Sequence, residues 1–340
     1  MAPRESLKLI GVVLIAALTL VACGGEGESA SPQAPPTPEP PPVCPLTGED
    51  PETDLPRPAV AVKIENSPQS RPQVGLLEAD VVFEEIVEGG VTRFAAIYHC
   101  GSSKKVGPVR SARFDDPRIV GPFTKVLAYS GANGIVEKEL RQNDMKLFTE
   151  QTDRAKVFFR DPAGSSDVHS LRLNVERVRD KVKNDVTTNP PLDIFTFGDL
   201  PASAKDAKRV MVSFGSSNLV TYRWARGAWR RFQDGVPFKV NPGGQVAVPN
   251  VLVQEVRVDP SCCIVDVTGN RSPDISLKGK GRLWLLRDGK VIPGQWAIGK
   301  DGRPAYTTAD GDPLPFKIGP IWIELVPSPK GKVKGKTVIK

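Results

Sequence analysis

The chain has 340 residues, 39% hydrophobic and 25% charged, with 46 Lys and Arg against 39 Asp and Glu for a net charge of +7. That is the composition of a globular protein, and its length is more than one hydrophobic core comfortably organises, so two domains are expected. Two His and five Cys, with no HExxH, CxxC, Asp-rich calcium loop, P-loop or G-x-S-x-G elbow, exclude the common signatures of metal, thioredoxin-type, nucleotide and serine-hydrolase sites, and no cofactor is implied.

At the N-terminus, Arg4 and Lys8 precede an apolar run from Leu9 to Val21, followed by Ala22 and Cys23. A basic start and about 13 apolar residues fit a secretory signal and are too short to span a bilayer. Leu20-Val21-Ala22-Cys23 resembles the lipobox of bacterial lipoproteins. That resemblance implies a signal peptide over 1–22, cleavage before Cys23, a lipid on its thiol, and a mature protein held on the extracytoplasmic side of the cell membrane. Outside the membrane there is no genome to bind, so the net positive charge points to anionic lipid or wall polymer, or an envelope protein, rather than nucleic acid. Residues 23–43 are rich in Pro, Gly, Ser and Glu and cannot bury enough surface to offset chain entropy. In extended polyproline geometry they form a stalk of about 60 Å.

Residues 44–201 read as an α+β domain mixing sheet and helix. Strands are expected over 59–64, 80–88, 92–100 and 125–130, with Gly89-Gly90 as a hairpin turn between the second and third. Asn133 and Asn174 are placed to cap helices through Ile135–Asn143 and Val175–Val182. Residues 207–328 read as a mostly antiparallel β domain. Its strands are expected over 209–214, 219–224, 229–232, 246–258 (broken by Pro249-Asn250), 264–268, 282–287, 291–297 and 320–326, with Arg226-Gly227 and Asp288-Gly289 as turns. Residues 329–340, with Lys at 330, 332, 334, 336 and 340, read as a disordered basic tail. All five Trp lie in the second domain, where sheet-core filling is the simpler reading and sugar stacking the alternative.

Four Cys remain after lipidation, and three pairings are possible. A vicinal Cys262–Cys263 bridge is disfavoured because neighbours on a strand point to opposite faces. Cys44–Cys100 is the preferred pair, with buried free thiols as the alternative.

The densest polar information lies between residues 66 and 113. Alternation along the second strand places Glu84 and Glu88 on one face and Glu85 on the other. Arg71, Arg93, Arg110 and Arg113 supply guanidinium groups suited to gripping carboxylate or phosphate, and Arg160 and His169 are placed to edge the same cleft. Glu84 or Glu88 then either orients those arginines or acts as acid or base. The alternative is a structural ion-pair network. Ser166, Asp167 and His169 are close in sequence, which by itself supplies no triad geometry.

Several of these segments resemble the YerB-type bacterial lipoproteins: Pro45-Leu46-Thr47-Gly48, Asn66-Ser67-Pro68 with Arg71-Pro72-Gln73, Val87-Glu88-Gly89-Gly90, Val106-Gly107-Pro108-Val109-Arg110-Ser111-Ala112-Arg113, and Trp322-Ile323-Glu324-Leu325-Val326-Pro327. The resemblance runs from Pro45 to Pro327 and implies a two-domain lipoprotein without an established activity. The chain departs from it at Ser170, where the family usually has Asn, and at Tyr129, where it has His. Glu85 stands where the family has a small apolar residue and is left out of the site. Two functions are therefore expected in order: a non-catalytic binding or scaffold protein, then an envelope hydrolase or transferase acting on wall polymer. No recognised nucleophile, metal set or acid–base His pair supports the second. Convergence of Glu84, Arg110 and Arg113 on open space favours a ligand site; mutual pairing favours a scaffold.

Overall fold

The structure, a computed structural model, describes residues 43–340 except 155, 192, 217, 267 and 268. The signal segment, Cys23 and all of the stalk but Val43 lie outside the described residues. The first half of the chain forms β1 (Val60–Glu65), β2 (Val81–Ile86), β3 (Thr92–Tyr98), β4 (Val126–Tyr129) and β5 (Lys146–Thr149), with helices α1 (Asp116–Val120), α2 (Gly134–Gln142) and α3 (Val175–Val182). The expected helices start where their caps predict. Asn133 Oδ1 accepts from Val136 N at 3.0 Å and Asn174 Oδ1 from Arg177 N at 3.2 Å. Gly89 and Gly90, at φ of 70° and 74°, turn β2 into the antiparallel β3.

The second half forms β6 (Arg209–Ser213), β7 (Leu219–Ala225), β8 (Ala228–Gln233), β9 (Asn250–Val265), β10 (Arg271–Ser276), β11 (Lys280–Arg287), β12 (Lys290–Ile298), β13 (Pro304–Thr308), β14 (Ile321–Pro327) and β15 (Lys336–Ile339). Two-residue turns join β7 to β8 and β11 to β12. Arg226-Gly227 and Asp288-Gly289 both adopt the left-handed backbone that matches strand twist.

One large sheet crosses both halves in the order β13-β12-β11-β9-β14-β2-β3-β1-β4-β5. Its seam is β14, which runs parallel to β9 on one side and to β2 on the other. A smaller antiparallel sheet, built on β8-β7-β6-β15, covers one face of β2, β3 and β14. An edge-on ring contact joins the layers, Phe94 to Phe238 at 5.8 Å, and within the large sheet Phe94 meets Trp322 at 5.6 Å. On the opposite face α1 and the segment after it pack down, with Phe83 and Phe123 rings 5.4 Å apart. Every residue of β2 and β14 is buried, as expected for strands covered on both sides.

Several expectations need correction. The basic tail is ordered where it was expected to be disordered: β15 pairs antiparallel with β6, because Thr337, Val338 and Ile339 carry enough strand character to close that edge. The stretches read as strands at 246–258 and 264–268 are a short bridge at Ala247–Val248 followed by the long β9, which runs on to Val265. Both disulfides form, Cys44–Cys100 and the disfavoured vicinal Cys262–Cys263. The vicinal pair lies where the β9–β10 register shifts between Pro260 and Val265, so the alternation behind the objection does not hold there. The favoured reading of the Trp residues holds for Trp229, Trp296 and Trp322, which fill the core.

Candidate functional site

Strand alternation sorts the polar residues of β1, β2 and β3 onto two faces, and each face solves a different electrostatic problem. On the face covered by the smaller sheet, Glu84 lies directly opposite Glu324 across the parallel β2–β14 pair. Both are fully buried. Arg231, reaching down from β8, donates to Glu84 Oε2 at 2.6 Å and to Gln233 Oε1 at 2.8 Å. Asn66 and Thr92 donate to the other Glu84 oxygen at 3.1 and 2.6 Å. The Tyr222 hydroxyl donates to Glu324 at 2.6 Å. Burial and the adjoining Glu84 push the Glu324 carboxyl well above the usual range. Although burial opposes it, Glu84 holds the Arg231 guanidinium firmly charged. That cation lies 4.0 Å from the Phe238 ring centroid, with Phe94 and Trp322 at 5.4 and 5.6 Å. One buried cation therefore serves two neighbouring buried carboxyl groups.

The opposite face carries Lys63, Glu65, Glu85 and Arg93, which the β1–β3 and β2–β3 registers bring side by side. Lys63 is buried and pairs with Glu85 and, at 2.7 Å, with Asp116 at the start of α1. Burial raises the Glu85 pKa, and the two carboxylates outweigh burial to raise that of Lys63. Sequence reasoning set Glu85 aside and did not single out Lys63, Asp116, Arg231 or Glu324. The signal for Lys63 and Glu85 was available, since a charge on both faces of neighbouring strands implies a buried partner. Nothing local announces Arg231 or Glu324, because their partners lie in the other half of the chain.

Toward the rim of this face the candidates become partly accessible. Glu65, at the end of β1, accepts from Ser67 Oγ at 2.9 Å and lies 2.8 Å from His169 Nδ1 and 3.5 Å from Arg110 Nε. Arg110 and His169 side chains are 29% and 26% exposed. Arg113 grips Glu88 through Nε at 2.7 Å and Nη2 at 2.5 Å, and Ser272 of β10 also donates to Glu88. Although burial works against it, Arg113 and Ser272 hold Glu88 below the usual carboxylate range. Arg93 lies between these pairs. Its guanidinium donates to the Ser111 carbonyl at 2.8 Å and forms no ion pair among the described residues. Burial, and then the repulsion of Arg113, push its pKa down to about 9. Of the three arginines Arg93 is the one without an ion-pair partner of its own, while Lys63 takes two carboxylates, so the face as a whole carries four cations and four carboxylates.

The expected cleft is therefore not one site. Glu84 is in the core and meets neither Arg110 nor Arg113. Glu88 lies past the end of β2, in the turn, so it leaves the face Glu84 occupies and reaches Arg113 instead. Arg71 donates to Asn66 and lies over Phe238 at the mouth of a 400 Å³ cavity on the other side of the sheet. Arg160 forms a forked pair with Glu150 at 2.8 and 2.7 Å and donates to the Asp167 carbonyl and Ser170 Oγ, which braces the loop carrying His169. The Tyr129 hydroxyl donates to Glu137 at 2.8 Å. What remains together is Arg93, Arg110 and His169 around Glu65, with Glu88–Arg113 alongside. No group of three or more His, Cys, Asp or Glu side chains suited to a metal ion, and no helix long and apolar enough to cross a membrane, occurs among the described residues.

Comparison with known proteins agrees with this architecture. Residues 46–188 match the N-terminal domain, and residues 210–323 the C-terminal domain, of a protein family of unknown function (DUF3048). A protein of Bacillus subtilis (strain 168) named "Putative lipoprotein YerB" is 32% identical over 297 residues, covering 84% of this chain and 86% of the relative. The crystal structure of YerB from Bacillus subtilis superposes with a TM-score of 0.70 at 28% identity, covering 87% of this chain and 99% of that one.

Proposed function

The chain is a member of the DUF3048 family of two-domain proteins, and on that premise we propose that it is a lipid-anchored, extracytoplasmic binding protein of the cell envelope that holds an anionic group without turning it over. The lipobox-like segment at Cys23 and the lipoprotein name of the relative support the tether. The observation that carries the binding role is Arg93, whose guanidinium has a backbone carbonyl and no carboxylate as its hydrogen-bond partner among the described residues. A half-buried guanidinium that donates only to a backbone carbonyl has N–H donors left for an anion. Arg110 and His169, both partly exposed, stand at the same rim on Glu65. An anion arriving there would gain charge-assisted hydrogen bonds and relieve the repulsion among three arginines.

The carboxylates that an acid–base mechanism would recruit are already engaged, Glu84 with Arg231 and Glu88 with Arg113 and Ser272. Hydrolysis or transfer on wall polymer is the second reading. What favours it is the Glu65–His169 contact, which orients an imidazole at the surface. Ser67, the hydroxyl at that position, donates to Glu65 and supplies no relay to His169.

Two experiments test the proposal. Replacing Cys23 by Ser should move the chain from the membrane fraction to the soluble fraction; unchanged partition refutes the tether. Calorimetric titration of the full chain with pyrophosphate should show saturable binding that Arg110→Ala weakens by roughly 10-fold or more, the worth of one hydrogen bond to a charged group. Equal affinities of the two proteins refute anion capture at this rim.

A further inference from the structure

A cavity of about 780 Å³ lies in the second half of the chain and shares no residue with the Arg93 rim. Arg257, Lys278, Lys280, Arg282 and Lys330 line it, with Glu255 as the one carboxylate. Arg282 is forked onto Glu255 at 3.0 and 3.1 Å, and Arg257 is paired with Asp259 at 2.6 Å. Lys278, Lys280 and Lys330 are exposed and form no ion pair among the described residues. The floor is apolar, with Pro293, Pro329 and Ala309 over the buried Trp296.

This groove is held in shape by three close backbone approaches. A Cβ on Gly281 would come within 2.5 Å of the Trp296 indole nitrogen, which donates to the Glu255 carbonyl at 2.8 Å. A Cβ on Gly294 would lie 2.1 Å from the Thr307 carbonyl oxygen. At Gly331 it would lie 2.3 Å from the Val258 carbonyl oxygen, so that glycine lets the loop carrying Lys330 lie against β9, where Val333 N also donates to Val258. Lys280 and Arg282, on alternate positions of β11, place cations about 7 Å apart along one wall.

We propose that this groove binds a linear phosphodiester polymer, a chain of polyol or sugar units joined by phosphates. The arginines, whose planar forks suit carboxylate, are already paired with carboxylates; the cations left free are lysines, which act as point charges toward phosphate. Free lysines spread around the channel at 278, 280 and 330 suit an anion that repeats along its length, and the apolar floor suits the C–H surface between phosphates. A bilayer is flat and does not enter a concave channel, which sets a chain apart from a membrane surface as the occupant.

The test uses the full chain and poly(glycerol phosphate) of about ten repeats, with glycerol 3-phosphate as the monomer and phosphatidylglycerol vesicles as the membrane arm. The polymer should bind far more tightly than the monomer. The triple variant Lys278→Ala, Lys280→Ala, Lys330→Ala should weaken polymer binding at least 10-fold and flatten the log–log salt dependence by about 2, the share of three contacts to a single-stranded polyanion. A control triple at the distant exposed Lys138, Lys181 and Lys183 should leave both unchanged. The proposal is overturned if the control weakens binding as much, if wild type ignores the polymer at physiological salt, or if the groove triple loses vesicle binding while keeping the polymer. Pyrophosphate binding at the Arg93 rim is independent of all three results.

Discussion

Arg231→Met isolates the claim that Glu84 is a structural rather than a catalytic carboxylate. Both partners are fully buried, and their contact is 2.6 Å. Removing one partner of such a pair costs about 3–5 kcal/mol. Glu84 keeps its hydrogen bonds from Asn66 and Thr92, which places the expected loss near the lower end, about 3 kcal/mol, with Gln233 losing a donor as well. The stranded carboxylate should then take up a proton on folding. Its folded pKa rises above the unfolded value, so the deficit against wild type should shrink as pH is lowered toward 5. Adding Glu84→Gln removes the buried charge while leaving an oxygen for Asn66 and Thr92, and the double variant should recover at least 2 kcal/mol. Urea unfolding followed by Trp fluorescence reads all three proteins. A loss under 1 kcal/mol for Arg231→Met, or the same loss whichever residue stands at 84, would refute the buried pair.

Three further outcomes are expected. Cys44→Ser with Cys100→Ser opens a loop of 56 residues and should cost about 4 kcal/mol by chain entropy; a reduced midpoint shift of less than a quarter of that value argues that the bridge does not constrain the unfolded chain. Burial, with Arg179 and Arg57 beside it, holds the His99 pKa at about 4 against an ordinary 6.5. The unfolded chain therefore binds that proton first, and stability present above pH 6.5 is lost as pH falls toward 4, by about 3 kcal/mol from this group. His99→Phe should lack that share of the acid sensitivity, and parallel unfolding curves for both proteins at pH 7 and pH 4.5 would count against it. Deleting Lys336–Ile339 exposes the edge of β6 and should lower the urea midpoint, whereas an unchanged midpoint would mean the β6–β15 pairing contributes nothing.

Local chemistry made much of the fold readable. Asn133 and Asn174 cap helices through their own side chains, and Asp288-Gly289 turns its hairpin with backbone torsions those two residues favour. The segments that escaped have weak local signals. Helix α1 is five residues with no side-chain cap, and β5 is a half-buried edge strand. The candidate site was legible only in part for the same reason. Alternation correctly parts Glu84 from Glu85, but the partner of each depends on which strand lies beside β2. That strand is β14, more than two hundred residues away, and it brings Glu324 with it. Arg231 arrives from a second sheet altogether. A run of arginines at 93, 110 and 113 was visible in the sequence; which one lacks a carboxylate was settled only by packing.

The central claim is that Arg93 and Arg110 form an anion seat with guanidinium N–H donors to spare. A crystal structure of the full chain with pyrophosphate tests it most directly. The account predicts phosphate oxygens within hydrogen-bond distance of both guanidinium groups, with Glu84–Arg231 and Glu88–Arg113 unchanged. An Arg93 guanidinium satisfied by a protein carboxylate, with the anion bound elsewhere or not at all, would contradict it.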